Sequence, residues 1–223
     1  MTAPVTITVG GQQLLLLPEK AAFLPESDTL LVADAHIGRA VSLREFGLSA
    51  ADGTTSEALT ILSTLVERLG VRRIVFLGDF LHPARLHAPA TLDAVTQWRE
   101  AHFPLELTLV RSERDGRAAD PPAYLGIETV NEPLIEGGLA MCHHPRPQAD
   151  LHYVLAGHLR PCVSLRGREN DWQRVPCFWF RLRVGVLPAF GAFTGMQAIR
   201  ASNDERVFAA TRDRVFELRR ARA

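Results

Sequence analysis

The chain has 223 residues with 25 basic and 25 acidic side chains, so its formal charge at neutral pH is zero and no global field holds it to nucleic acid or to a membrane surface, though a local arginine-lined groove is compatible with that balance. No apolar run approaches the ~20 residues of a membrane span, and the first residues, MTAPVTITVGG, lack a basic stretch followed by a continuous apolar one, so a cytoplasmic location without membrane contact is the expectation. The length suits one α/β domain covering 1–223, and the sparse Cys142, Cys162 and Cys177, with no CxxC pair, read as reduced, mostly buried thiols.

VTITV and QQLLLL around Gly10-Gly11 predict a hairpin. DTLLVADAH predicts a short buried strand over Leu30 to Ala33 that turns polar at Asp34. ADGTTSEALTILSTLVERLG predicts a helix, with N-cap candidates from Asp52 to Thr55, apolar Leu59, Leu62, Leu65, Val66 and Leu69 at helical spacing, and Gly70 as its stop. RRIVFLGD is the next buried strand, ending at Gly78-Asp79. APATLDAVTQWREAHF is a second helix with Pro89 in its first turn, and LELTLV is a third strand. Strands alternating with helices imply right-handed crossovers and mainly parallel strands. Beyond residue 120 come short β-like runs, IETV, GLAMC, YVLAG, CVSL, CFWFRLRVGVLP, RVFAA and RVFEL, with no long amphipathic helix between them. A two-sheet sandwich with helices outside accommodates both halves. RGRENDWQR, residues 166 to 174, reads as an exposed hairpin loop, and CFWF as core.

Five apolar runs end in metal-competent side chains: LLVA in Asp34 and His36, IVFLG in Asp79, LTLV near Glu113 and Asp115, LAMC in His143-His144, and VLAG in His158. Ligands of α/β sheets bind beyond the carboxyl ends of strands. One Asp there is usually a turn or cap; five such runs are hard to explain by turns. Carboxylates mixed with imidazoles suit Mn²⁺, Fe or Zn²⁺ better than Ca²⁺. A carboxylate able to bridge two ions, with histidines on both sides, describes a two-metal hydrolytic site.

Asp34-x-His36, Gly78-Asp79, the 112–115 segment, His143 and Gly157-His158-x-Arg160 follow the order and approximate spacing of calcineurin-like metallophosphoesterases, whose pattern is D-x-H, G-D, G-N-H-D, H, G-H-x-H. DAHIGRAVSLREFGLSAADGTT, GDFLH, HHPRP and LPAFGAFTG resemble the ligase-associated, PdeM-type metallophosphoesterases of DNA repair, from about residue 30 to residue 200. The resemblance implies a four-layer α/β/β/α sandwich of two mixed β-sheets flanked by helices. It also implies a dinuclear metal site, Mn²⁺ being the expected ion. The implied activity is metal-dependent phosphodiesterase or DNA endonuclease chemistry, alongside repair ligase, helicase or exonuclease proteins; zero net charge with a local arginine-lined cleft makes single-stranded or flexible DNA the expected substrate. Carried over, metal site one uses Asp34, His36 and Asp79, and site two uses Asp79, His143, His158 and Glu113.

Two motifs depart from the family. Ser112-Glu113-Arg114-Asp115 stands where the family has G-N-H-D, and Arg160 where it has the last histidine. A guanidinium has donors and no available lone pair, so Arg160 cannot ligate; it is expected to pair with Asp34 or Asp79 and to contact phosphate together with Arg39. Glu113 adds a negative charge at site two, although it also reads as part of the exposed run RSERDGR. One tightly held ion is therefore expected, with a second held weakly or absent. Arg114 and His36 are the expected catalytic side chains, Arg114 through electrostatic stabilisation of an oxyanion. Asp115 reads as a supporting hydrogen-bonder, His144 as facing solvent or phosphate, and His82 and His87 as surface residues. Two alternatives stay open: a catalytically impaired member that binds phosphate, DNA or a partner, and a phosphomonoesterase for a small molecule.

Overall fold

In this computed structural model the described residues are 3–39, 54–82, 88–112, 120–146, 152–166, 171–192 and 194–218, with the side chains of 54 and 55 excepted. Glu113, Arg114, Asp115, His87 and the C-terminal ELRRARA beyond residue 218 lie outside them.

The first sheet begins with the expected hairpin. β1 (Val5–Val9) and β2 (Gln12–Leu16) pair antiparallel around Gly10 and Gly11, which have the two consecutive positive φ values, 55° and 78°, that a two-residue primed turn requires. β3 (Ala22–Leu24) and β4 (Thr29–Ala33) follow antiparallel, and β5 (Arg73–Leu77), β6 (Glu106–Arg111) and β7 (Glu128–Asn131) then add in parallel, in strand order β1 to β7. The parallel steps from β4 to β6 are made by the two predicted helices, α1 (Thr54–Leu69) and α2 (Pro89–Ala101).

Burial on both faces explains why β4, β5 and β6 read as continuous apolar runs. Leu30, Val32, Ile74, Phe76, Leu107 and Leu109 point to the helices, where Leu59, Leu62 and Leu65 of α1 and Val95 and Trp98 of α2 meet them. The intervening Leu31, Ala33, Val75, Leu77 and Val110 point the other way, into the space between the sheets. Each such side chain, fully buried, contributes roughly 1.5–3 kcal/mol of transfer free energy. Trp98 Nε1 donates to Ser63 Oγ at 3.0 Å, tying α2 to α1.

The second sheet contains β8 (Leu134–Glu136), β9 (Leu139–Cys142), β10 (Tyr153–Ala156), β11 (Pro161–Arg166), β12 (Trp172–Phe180), β13 (Val184–Val186), β14 (Gln197–Ala198), β15 (Arg206–Ala210) and β16 (Val215–Glu217). Its order is β14-β11-β12-β13-β10-β9-β8, with β15 beside β12 and β16 beside β15. It is mixed: β9, β10 and β13 run parallel, while β11–β12 and β12–β15 are antiparallel. Leu139, Met141, Leu155, Phe178 and Phe208 face the first sheet and close the inter-sheet core. Among the described residues three layers are present: helices, first sheet and second sheet. The helical layer expected on the far side of the second sheet is not among them. The cysteines are buried and form no disulfide, as expected, and CFWF is largely core, with Cys177, Phe178 and Phe180 buried. No described helix is long and apolar enough to cross a membrane.

Candidate metal centre

Parallel strands from both sheets end at one place. β4 delivers Asp34 and His36, β5 delivers Asp79, β9 delivers His143 and His144, and β10 delivers His158. Ligand-competent atoms of Asp34, His36 and Asp79 lie within 4.8 Å of one another, and so do those of His143, His144 and His158. Asp79 lies between the groups: its Oδ2 is 3.3 Å from His36 Nε2 and 3.9 Å from His143 Nε2.

The chain reaches this geometry through strained backbone. Among the described residues seven non-glycines have positive φ, and Asp34 (47°), His36 (43°), Asp79 (41°), His158 (67°) and Arg160 (51°) are five of them. Left-handed conformations cost a non-glycine residue of order 1–3 kcal/mol, and they persist where the surroundings over-determine them, typically at functional sites. Here the strained turns are pinned by hydrogen bonds. His36 N–H donates to Asp79 O at 2.8 Å, Ile37 N–H to Phe80 O at 2.9 Å, and Gly157 N–H to His143 O at 3.1 Å.

The described residues 187–192 of LPAFGAFTG form a backing for the first cluster. Phe190 N–H donates to Ala33 O at 2.8 Å and Gly191 N–H to Asp34 O at 3.2 Å, and the largely buried Lys20 donates from Nζ to Phe190 O at 2.6 Å. Glu132, just past β7, holds the other cluster: its Oε2 accepts the backbone N–H groups of His143 at 2.8 Å and His144 at 2.9 Å. Neither Lys20 nor Glu132 was legible as a site residue. Each acts through a main-chain group distant in sequence, and no spacing motif encodes that.

Burial pushes the Asp34 carboxyl up to about 6; His143, Arg160 and the His158 N–H oppose this, while Asp79 adds to it. Burial pushes His36 down to about 4, with Arg160, Arg39 and His82 acting in the same direction and Asp79 against it. Burial, His144 and His143 also lower His158. The imidazoles of His36 and His158 are thus held in the neutral form that ligates metals.

The donor set fits a divalent transition metal. Asp34 Oδ1, both ring nitrogens of His36, and His158 Nδ1 are buried without a hydrogen-bond partner. Buried polar atoms are seldom left so, and several converging here call for a cation.

All five described ligand candidates from the sequence therefore meet, and His144, expected to face solvent or phosphate, joins them. His82, expected at the surface, is half-buried with its ring 6.0 Å from that of His36. Arg160 stands beside the first cluster without lying bidentate on a carboxylate: its Nε is 3.9 Å from Asp34 Oδ1, and its Nη1 donates to Thr194 O. Arg39 is close by. Burial and Arg160 lower its guanidinium pKa against Asp79, and its Nε is buried without a partner. Ser112, at the end of β6, is buried.

No protein-family model matches the chain, and no curated protein does. A solved structure does: the crystal structure of the Pseudomonas putida nuclease MPE is 39% identical, with a TM-score of 0.82, covering 96% of this chain and 100% of that one.

Proposed function

Because the chain belongs to the family of the Pseudomonas putida nuclease MPE, we propose that it is a metal-dependent phosphoesterase that cleaves DNA phosphodiesters, a single metallophosphoesterase domain over 1–223. The observation that carries this reading is the pair of donor clusters sharing Asp79 at the convergent strand ends. Asp34, His36 and Asp79 would hold one ion, and Asp79, His143, His144 and His158 the other, with Glu113 as a further ligand of the second. A bound divalent cation supplies Lewis-acid activation of water and neutralises charge on the phosphoryl oxygens.

The chain's own residues do the rest. Asp79 orients both clusters through one carboxylate. Arg39 and Arg160, the former with an unsatisfied buried donor, bind the non-bridging phosphate oxygens and stabilise their charge. Arg114 would add to that stabilisation, and neutral His36 stays fixed against Asp79. The repair setting, with ligase, helicase or exonuclease proteins nearby, is part of the same proposal.

The two half-sites are unequal. The histidine cluster has three imidazoles, whereas the first has a fixed cation, Arg160, within 3.9 Å of its buried carboxylate. Like charges ~4 Å apart repel by about 1 kcal/mol in water and several-fold more in a partly buried site. One tightly held ion, Mn²⁺ by preference, is expected at the histidine cluster. Metal titration followed by anomalous scattering tests this. One full and one weak site supports the asymmetry, and two full sites overturn it. No metal at saturating Mn²⁺ favours a binding subunit, the reading to which Arg160 lends most support.

A further inference from the structure

β11 grows directly out of the site. Pro161 follows Arg160, Gln197 N–H donates to Arg160 O at 3.0 Å, and Gln197 and Ala198 pair with Pro161 and Cys162. From there β11 and β12 continue as a two-stranded ribbon whose far end leaves the core: Ser164, Arg166, Trp172 and Arg174 are exposed, while Val163, Leu165 and Val175 are half-buried. The register places Arg166 opposite Trp172 and Ser164 opposite Arg174. Side chains alternate between the faces of a strand, so these four share one face. Trp172 has an arginine across the ribbon and another two residues along its own strand. Asp171, next to Trp172, accepts from Gln173 Nε2 at 3.0 Å on the opposite face. Trp172 is 70% exposed. A large aromatic left in water, flanked by two cations on a face whose four described residues include no acid, lacks a structural role in the core.

We propose that this face is a docking strip for single-stranded DNA leaving the metal centre, with a base stacked on Trp172 and phosphates on Arg166 and Arg174. The inference rests on the nuclease reading, which it deepens. Arg166 lies six positions beyond Arg160, roughly 20 Å at ~3.3 Å per residue, so the strip guides the substrate a few nucleotides beyond the scissile phosphate. Stacking on an aromatic with arginines along the backbone is the usual recognition of unpaired strands and carries no sequence preference. Arg160, 3.9 Å from Asp34 at the first donor cluster, is the cation at the site end of this path.

The test uses the Mn²⁺-supplied full chain and a fluorescein-labelled phosphorothioate oligothymidylate, which resists cleavage, with bis-p-nitrophenyl phosphate as a substrate too small to reach the strip. Trp172→Ala is expected to weaken oligonucleotide binding by about ten-fold, and Trp172→Phe to restore most of it. Arg166→Ala with Arg174→Ala is expected to lower the salt slope of binding by about 1.4. All three variants keep the parent rate on bis-p-nitrophenyl phosphate. Unchanged oligonucleotide binding by Trp172→Ala overturns the proposal. A parent that hydrolyses the small diester but does not bind the oligonucleotide overturns the strip and leaves the phosphoesterase reading intact. A parent that binds through Trp172 but hydrolyses no phosphodiester supports the strip and overturns that reading.

Discussion

The backbone N–H of His158 donates to Asp34 Oδ2 at 2.8 Å, so one fully buried carboxylate joins the second sheet to the first. Its other oxygen, Oδ1, has no hydrogen-bond partner. One atom thus holds the two halves of the site in register, and the other is left for a cation. The arrangement is costly without the ion, since burial disfavours the charged form.

The two oxygens separate in mutants. Asp34→Asn retains an acceptor for the His158 N–H and removes the charge, so its metal-free stability should stay close to the parent's. Asp34→Ala orphans that N–H and should lose about 1–3 kcal/mol. Saturating Mn²⁺ should stabilise the parent, by about 2.7 kcal/mol at a hundred-fold excess over the Kd of the histidine cluster; it should stabilise Asp34→Asn almost as much, because Asp34 serves the weakly held site, and Asp34→Ala less, because His158 loses its anchor. Urea midpoints with and without Mn²⁺ read all of this.

Glu132→Ala removes the acceptor for two adjacent backbone N–H groups, those of His143 and His144. Groups that orient ligands from behind typically change metal affinity by about 10–100-fold. A loss in that range is expected by isothermal titration with Mn²⁺, with a folded protein by circular dichroism. Glu132→Gln, which keeps one acceptor oxygen, should fall between.

Much of this architecture is legible in the chain. β4 and β5 are read from uninterrupted apolar runs, and Asp34 and Asp79 from the abrupt polarity at their ends. Pro89 marks a helix start because its ring fixes φ, and Gly70 a helix end because glycine tolerates the positive φ of 65° taken there. His144 and Glu132 are different. That both adjacent histidines reach the cluster depends on a carboxylate 11 or 12 residues earlier that grips their backbone, and nothing periodic records that contact. Trp172, read as part of a loop, belongs to a strand paired with Arg166; its neighbours Arg166, Gln173 and Arg174 are too polar to show the alternation that signals a half-buried strand.

Gly78 precedes Asp79 with φ of 81°, and a Cβ there would stand 2.1 Å from His143 Cδ2. Gly78→Ala must displace the His143 ring as well as strain the backbone, at a cost of at least about 2 kcal/mol, and it should abolish metal binding. Gly70→Ala is the control: φ is 65° but a Cβ would meet nothing within 4 Å. Strain alone, about 1–2 kcal/mol, is expected, with metal affinity unchanged. Equal effects of the two substitutions on metal affinity would contradict the packing described at His143.

Burial lowers Lys20 from 10.5 to about 8, against the attraction of Glu57. Folding therefore disfavours its ammonium form. Below pH 8 that penalty is fully present. Between about 8 and 10.5 the unfolded chain binds more protons than the native one, so this group makes stability rise with pH; above that range the contribution is constant. Chemical denaturation of the parent minus that of Lys20→Met should rise across this window, and a flat difference would mean that Lys20 is not desolvated. Lys20→Met also removes the hydrogen bond to Phe190 O, which should lower turnover through the loop behind Asp34.

The most direct measurement is hydrolysis of bis-p-nitrophenyl phosphate by metal-stripped protein before and after adding Mn²⁺, for the parent and for Asp79→Ala. Asp79 Oδ2 faces both His36 and His143, so its loss should disable both clusters at once. The parent is expected to be inert without metal and active with Mn²⁺, and Asp79→Ala to be inert throughout while remaining cooperatively folded. Chelator-resistant hydrolysis by the parent, or parent-like activity in folded Asp79→Ala, would contradict the metal centre assigned to these strand ends.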